Sequence, residues 1–154
     1  MLFDLTITRN RLRSEISTCP TEIEQCIAAA QAPANTHTFL TTSFTSARDT
    51  AAQTGVVDLP LAGLAVSIKD LFDIEGQPTP AGSTVLANTP AAVEDSPAVG
   101  RLRAAGAAVM GRTNMVEFAF SGVGINRHFG TPAAWDARFG ALPGAPRVPG
   151  GSLS

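Results

Sequence analysis

The sequence predicts an α/β fold with helices layered on a sheet, and three observations carry that prediction. Leu64 to Lys69 alternates with a two-residue period, with Leu64, Val66 and Ile68 on one face and Ala65, Ser67 and Lys69 on the other, as in a strand. Asp95-Ser96-Pro97 has helix-start chemistry with proline at the first turn, and the segment runs through "AVGRLRAA" to a closing Gly106. The apolar run "AAVMG", Ala107 to Gly111, follows directly and reads as a buried strand. An order of helix, strand, helix, strand is the pattern of layered α/β proteins.

Taken in chain order, the first stretch, "MLFDLTITRNRLRSE", carries an acid at Asp4 and has no apolar h-region, so it does not read as a signal peptide. Thr21–Ala32 reads as a helix: Thr21 and Glu24 have capping-box spacing, and Ile23, Cys26, Ile27 and Ala30 share a face. A polar, threonine-rich connection follows. A second helix is expected over Ser43–Gln53, stopped by Gly55, and Leu59-Pro60 introduces the strand. After the buried strand, Asn114 and Glu117 resemble a capping pair opening a third helix, "MVEFAF". From Gly122 to Gly151 the chain is rich in Gly, Pro and Ala, with Pro132, Pro143, Pro146 and Pro149 as breakers. So long an aperiodic stretch suggests a functional surface or a missing partner.

Bulk properties narrow the function. The 154 residues suffice for one domain with a core, and an apolar share of 44% is ordinary for a soluble globular protein. A net charge of −2 with scattered basic residues gives no footing for nucleic acid or an anionic membrane. No apolar stretch approaches the roughly 20 residues of a membrane helix. Cys19 and Cys26 on one helix would stand roughly 10 Å apart along its axis, too far for a disulfide. With no Cys-His metal pattern, they read as thiols in a reducing compartment, and the protein is expected in the cytoplasm.

Several chemistries find no support. There is no phosphate-binding loop of the G-x-x-x-x-G-K-[ST] type and no G-x-S-x-G elbow. "GVGINR" places Arg127 where a dinucleotide fingerprint needs its third glycine. His37 reads as a solvated loop residue. His128 reads as structural, with a substrate contact as the alternative. Neither supports a Ser-His-Asp triad.

What stands out is Lys69. It is the only lysine, among ten arginines, and it sits in the apolar run "LAVSIKDLFDIEG". On periodicity alone it snorkels from a strand edge or pairs with Asp70 or Asp73. The alternative is a buried, uncharged amine acting as a general base, with Ser67 on the same strand face offering a hydroxyl.

"PLAGLAVSIKDLFDIEGQPTPAGS", then "DSPAVGRLRAAGAAVMGRTNMVEFAFSGVG", then "HFGTP" and "RVPGGSLS", together resemble the amidase signature family of serine hydrolases. The likeness is strong from Pro60 to Ser154 and weak before it. It implies part of a mixed β-sheet layered with helices, incomplete relative to the full family fold. It divides the chain into a helical segment, 1–58, and the N-terminal part of the family core, 59–154.

The resemblance implies amide hydrolysis by a nucleophilic serine, a second serine in a cis peptide, and a lysine. By motif position the lysine is Lys69 and the cis serine is Ser152. Gly150, Gly151, Ser154, Asp70, Asn114 and Glu117 are implied as supporting residues. Glycines beside Ser152 ease the path to a cis bond, which costs roughly 3–4 kcal/mol. Leu153 stands where the family usually has serine. The family's nucleophile comes from a later Gly-Gly-Ser segment, and the chain stops at Ser154 before it. The 154 residues are therefore expected to be the N-terminal portion of an amidase, inactive alone.

The alternatives are a non-catalytic binding or complementing subunit, an amidotransferase A-type subunit, and an incomplete coding sequence. The implied substrate is a small-molecule amide, with no metal or organic cofactor. A homodimer is possible for the full-length protein. Such a chain is expected to expose apolar surface, leave a sheet edge open, aggregate, or have a partly disordered last thirty residues.

Overall fold

The structure, a computed structural model, describes residues 4–132. Its centre is a mixed sheet of three strands, β1 (Phe39–Thr42), β2 (Ala65–Lys69) and β3 (Ala108–Thr113), in the order β1–β3–β2. β2 and β3 run parallel, and β1 runs antiparallel to β3. Four α-helices accompany the sheet among the described residues: α1 (Leu5–Arg13), α2 (Cys19–Gln31), α3 (Phe44–Ala51) and α4 (Pro97–Ala104).

Both faces of the sheet are covered, which is why every residue of β3 is buried. On one face Ile23 and Ile27 of α2 and Ala47 and Ala51 of α3 pack with Leu64, Ala108 and Met110. Leu12 of α1 and Val56 complete that cluster. On the other face Val99 of α4 packs with Ile68, Ile74 and Val109, flanked by Val66 and Leu102. The strand period of two sorts the residues, with Ala108 and Met110 to one cluster and Val109 to the other. Each fully buried isoleucine contributes about 1.5–3 kcal/mol, so these two clusters, not the short helices alone, hold the layers together.

α3 and α4 lie where the sequence predicts them, preceded by Ser43 and Ser96, and α4 has Pro97 in its first turn. Gly106 ends the α4 region at φ +86°, and a Cβ there would stand 2.8 Å from the Leu59 side chain. α2 begins at Cys19 rather than Thr21. Its cap is Thr18, whose hydroxyl accepts the Thr21 N–H at 3.3 Å, and Pro20 sits in the first turn, where a missing N–H costs nothing. Glu24 does not fold back on Thr21 but pairs with Arg48 of α3 at 2.5 Å.

Two elements arise where the sequence suggested none. α1 is capped by Asp4, which accepts the Ile7 N–H at 2.8 Å, and it buries Leu12 alone. β1 lies within the threonine-rich connection. The third helix expected after Asn114 is absent. A short 3-10 turn, Glu117–Ala119, stands there, and φ of +53° at Phe118 and +55° at Ala119 prevents continuation as an α-helix.

Among the described residues β1 and β2 each pair on one side only. Large apolar side chains stand exposed beyond the strand ends, including Phe120 at 93%, Val123 at 61% and Phe118 at 48%. The exposed apolar side chains match the expectation of exposed apolar surface. The expectations placed on the last thirty residues and on the backbone at Gly150–Ser154 fall, from residue 133 onward, outside the described residues.

Candidate active site

Lys69 is the last residue of β2, and the chain turns immediately after it. Its carbonyl accepts the Leu71 N–H at 2.7 Å and the Phe72 N–H at 3.1 Å. The side chain is half-buried, and none of the ion pairs among the described residues involves it. Ser67 on the same strand is exposed, and among the described residues no hydrogen bond joins it to Lys69.

The carboxylate that follows has a different partner from those the periodicity suggested. Asp70 is fully buried, and Oδ1 accepts from Arg112 Nε at 2.6 Å. Asp70 Oδ2 accepts the Gly82 N–H at 2.8 Å, and its carbonyl accepts the Ala81 N–H at 3.1 Å. Arg112 is equally buried and donates from Nη2 to the Phe72 carbonyl at 3.0 Å. Asp73 is also engaged elsewhere, accepting from the Thr79 hydroxyl at 2.7 Å.

A bulge puts Arg112 in place. Val66 pairs with Val109 but Ser67 pairs with Gly111, so β3 carries one extra residue, Met110, between them. Were the two-residue alternation unbroken by that extra residue, Arg112 would share the face of Ala108 and Met110. With it, Arg112 pairs with Ile68 and lies on the Asp70 side of the sheet.

The loops beyond the strands are tied by side chains. Asn114 is buried and donates to the carbonyls of His37 at 3.0 Å and Gly130 at 2.8 Å, while its Oδ1 accepts the Met115 N–H. It therefore joins three segments rather than capping a helix. Ser83 is buried and donates to Glu117 Oε1 at 2.5 Å, and His128 Nε2 lies 3.1 Å from the same oxygen. The Ser83 hydrogen bond, aided by His128, holds the Glu117 carboxyl below its usual range. His128 is thus placed in a structural contact, and His37 is an exposed loop residue. Asn126 donates to the carbonyls of Gly82 and Met115, both at 2.8 Å, and accepts from the backbone of His128 and Phe129.

Of the residues singled out in the sequence, Lys69, Asp70, Asn114 and Glu117 lie at or beyond the C-terminal ends of β2 and β3. Ser152, Gly150, Gly151 and Ser154 lie outside the described residues. Arg112, Ser83 and Asn126 were missed. Arg112 did carry a signal, since a cation continuing a fully apolar strand requires a buried carboxylate. No group of acids, histidines and cysteines that could hold a metal ion occurs among the described residues. A hollow of about 400 Å³ lies between the end of α1, the start of α2 and Val56, and contains none of these residues.

The family model described as amidase matches residues 22–152. Over 94 residues, 60% of this chain, the sequence is 46% identical to 2-amino-5-chloromuconic acid deaminase from Comamonas testosteroni. Also over 94 residues and 60% of this chain, it is 44% identical to the glutamyl-tRNA(Gln) amidotransferase A-type subunit of Salinispora tropica. A solved structure from work on a vestigial protein complex and the origins of an s-triazine catabolic enzyme superposes with a TM-score of 0.79. That match has 32% identity and covers 85% of this chain. The chain spans 19% and 17% of the two curated relatives and 30% of the solved chain.

Proposed function

The chain belongs to the amidase family, and on that premise we propose that it supplies the lysine and the second serine of an enzyme hydrolysing a small-molecule carboxamide. The observation that carries the reading is Lys69 itself: a half-buried amine at a strand end, outside every ion pair among the described residues, whose neighbouring carboxylate is bound by Arg112. In this reading the neutral Lys69 amine accepts the proton of the Ser152 hydroxyl. Ser152 in turn accepts the proton of a nucleophilic serine carried by a later segment. The serine oxygen attacks the carboxamide carbon, and backbone N–H groups stabilise the oxyanion. The C–N bond then breaks as the relay returns a proton to the departing nitrogen. Water regenerates the serine and releases the acid.

The 154 residues contain the relay but no motif-assigned nucleophile, so the chain alone is inactive in this reading. Two measurements test it. In an enzyme joining these residues to the nucleophile segment, Lys69→Met lowers kcat for amide hydrolysis by roughly 10²–10⁴-fold, read as ammonia or amine release. Undiminished turnover in that variant would refute the role of Lys69. Lys69-dependent hydrolysis by the purified 154-residue chain would refute the inactivity.

A second reading, an amidotransferase A-type or complementing subunit, is favoured by the 44% identity to the amidotransferase relative. Mixing the chain with a separately expressed C-terminal half separates the two. Association with restored activity supports complementation, and neither association nor activity counts against it.

A further inference from the structure

From residue 116 to residue 132 the one buried side chain is polar: Asn126 is 3% exposed, while Phe118, Phe120 and Val123 in the same stretch stand in solvent. A carboxamide offers two N–H donors and two acceptor lone pairs, and Asn126 uses all four. Nδ2 donates to the carbonyls of Gly82 and Met115, both at 2.8 Å. Oδ1 accepts the N–H of His128 at 2.8 Å and that of Phe129 at 3.1 Å. The Asn126 backbone N–H donates to the Thr131 hydroxyl at 3.0 Å, and that hydroxyl donates to the Asn126 carbonyl at 3.3 Å. One side chain thus closes the loop 126–131 on itself and fastens it to two other segments, where no buried apolar residue of the loop could do so.

The Gly82 end of this junction leads to Lys69. The Gly82 N–H donates to Asp70 Oδ2 at 2.8 Å and the Ala81 N–H to the Asp70 carbonyl at 3.1 Å, and Asp70 directly follows Lys69. A Cβ on Gly82 would stand 2.9 Å from the Met115 carbonyl oxygen and 3.2 Å from Asn126 Nδ2, so these segments meet without slack. The other end leads to Pro132, from which the chain continues towards Ser152. We propose that Asn126 is a positioning residue for the lysine–serine relay: it holds the loop from which the chain goes on to Ser152 in register with the turn that ends β2 at Lys69. The proposal rests on the reading of Lys69 and Ser152 as that relay. A buried polar group with every bond made holds its neighbours in one arrangement, and misplacing reacting groups by about 1 Å costs on the order of 10²-fold in rate.

The coupling is tested first in the 154-residue chain, without turnover. Hydrogen exchange in Asn126→Ala is expected to quicken by about tenfold or more at His128 and Phe129, and also at the Gly82 N–H that Asp70 holds, while the amides of β3 exchange as in the parent. Loss confined to His128 and Phe129 overturns the proposal, because the loop would then be uncoupled from the Lys69 turn. The second test uses the enzyme joining these residues to the nucleophile segment, assayed where each variant is fully folded. Asn126→Ala is expected to lower kcat by about 10- to 100-fold with KM within about threefold of the parent. In a Lys69→Met background, where the relay is already broken, the same substitution is expected to change kcat by less than about twofold. A merely structural role predicts an equal fractional loss in both backgrounds. That result overturns the proposal, as does an unchanged kcat in folded Asn126→Ala.

Should Asn126→Ala not fold, Thr131→Val carries both tests, since it removes the hydroxyl that closes the loop and keeps its bulk. Faster Gly82 exchange with a lowered kcat at unchanged KM supports the proposal, and parent values for either overturn it. The two readings fail separately. Undiminished turnover in Lys69→Met refutes the base, whereas a crippled Lys69→Met beside a fully active Asn126→Ala refutes only the positioning.

Discussion

A Cβ placed on Gly111 would stand 2.3 Å from the carbonyl oxygen of Thr41. Gly111 faces Thr42 in the antiparallel pairing of β1 with β3 and Ser67 where β3 bulges against β2, so one glycine serves both junctions. Its φ of +147° is also one that L side chains rarely adopt. The same backbone path brings Arg112 onto the Asp70 side of the sheet. A steric constraint at Gly111 therefore reaches the candidate site through the parity of the strand.

Gly111→Ala should destabilise the fold by about 3 kcal/mol or more, from overpacking against backbone and from backbone strain. Urea unfolding measures it as a lower midpoint with little change in slope. A midpoint within error of the parent would show that β1 moves aside at no cost.

Asn114 tests how the loops are held. Asn114→Ala leaves the His37 and Gly130 carbonyls without this donor, and it removes the acceptor of the Met115 N–H. Each buried group left unpaired costs about 1–3 kcal/mol, so a loss of roughly 2–4 kcal/mol is expected. Asn114→Asp should be at least as damaging, because a carboxylate would face two carbonyl oxygens. Hydrogen exchange should show lost protection at Asn114, which donates its backbone N–H to Thr38, and at Met115.

The contrast between α4 and the Asn114–Glu117 segment explains what sequence could and could not convey. α4 was legible because its signals are local: Pro97 in the first turn, Gly106 after the last, and Val99 on the buried side. Asn114 and Glu117 have equally good capping spacing, but their side chains are spent on distant partners, Gly130, His37, Ser83 and His128. Tertiary hydrogen bonds overrode the local preference. α1 was missed because it buries only Leu12 and leaves Leu5 and Ile7 exposed, so its apolar face carries almost no period. β1 was missed because four residues, two of them exposed threonines, show no alternation. Lys69 was legible by its singularity. The diversion of Asp70 was not, because Arg112 lies 42 residues away and reaches it only through a bulge.

The two thiols give an independent check on packing. Cys19 is 6% exposed, donates to the Ala62 carbonyl at 3.3 Å and is pressed against Gly63. Cys26 is only partly buried. Burial raises the proton affinity of both thiols, with Glu22 adding to it at Cys26, so both should react slowly with a disulfide reagent near neutral pH. Cys19 should react about tenfold or more slowly than Cys26, because it needs local opening. Equal rates, followed by mass spectrometry, would show that the start of α2 is not docked as described.

The last prediction concerns acid. Glu117 is held ionised first by the Ser83 hydroxyl and then by His128. A carboxyl whose proton affinity is lowered on folding stabilises the folded state above its ordinary titration range, and that contribution disappears as pH falls through the folded-state value. Ser83→Ala removes the largest cause and should return Glu117 towards ordinary behaviour. The stability difference between parent and Ser83→Ala should therefore be larger at about pH 7 than at about pH 3. The bond from the Val85 N–H to the Ser83 hydroxyl is lost at both pH values, so it shifts the curves without tilting them. Glu24 is displaced in the same direction by Arg48, but that pair is untouched and cancels in the comparison. Carrying both proteins in a His128→Gln background removes the imidazole's own titration. Under those conditions a gap independent of pH would mean that the short Ser83–Glu117 contact does not stabilise the ionised carboxylate.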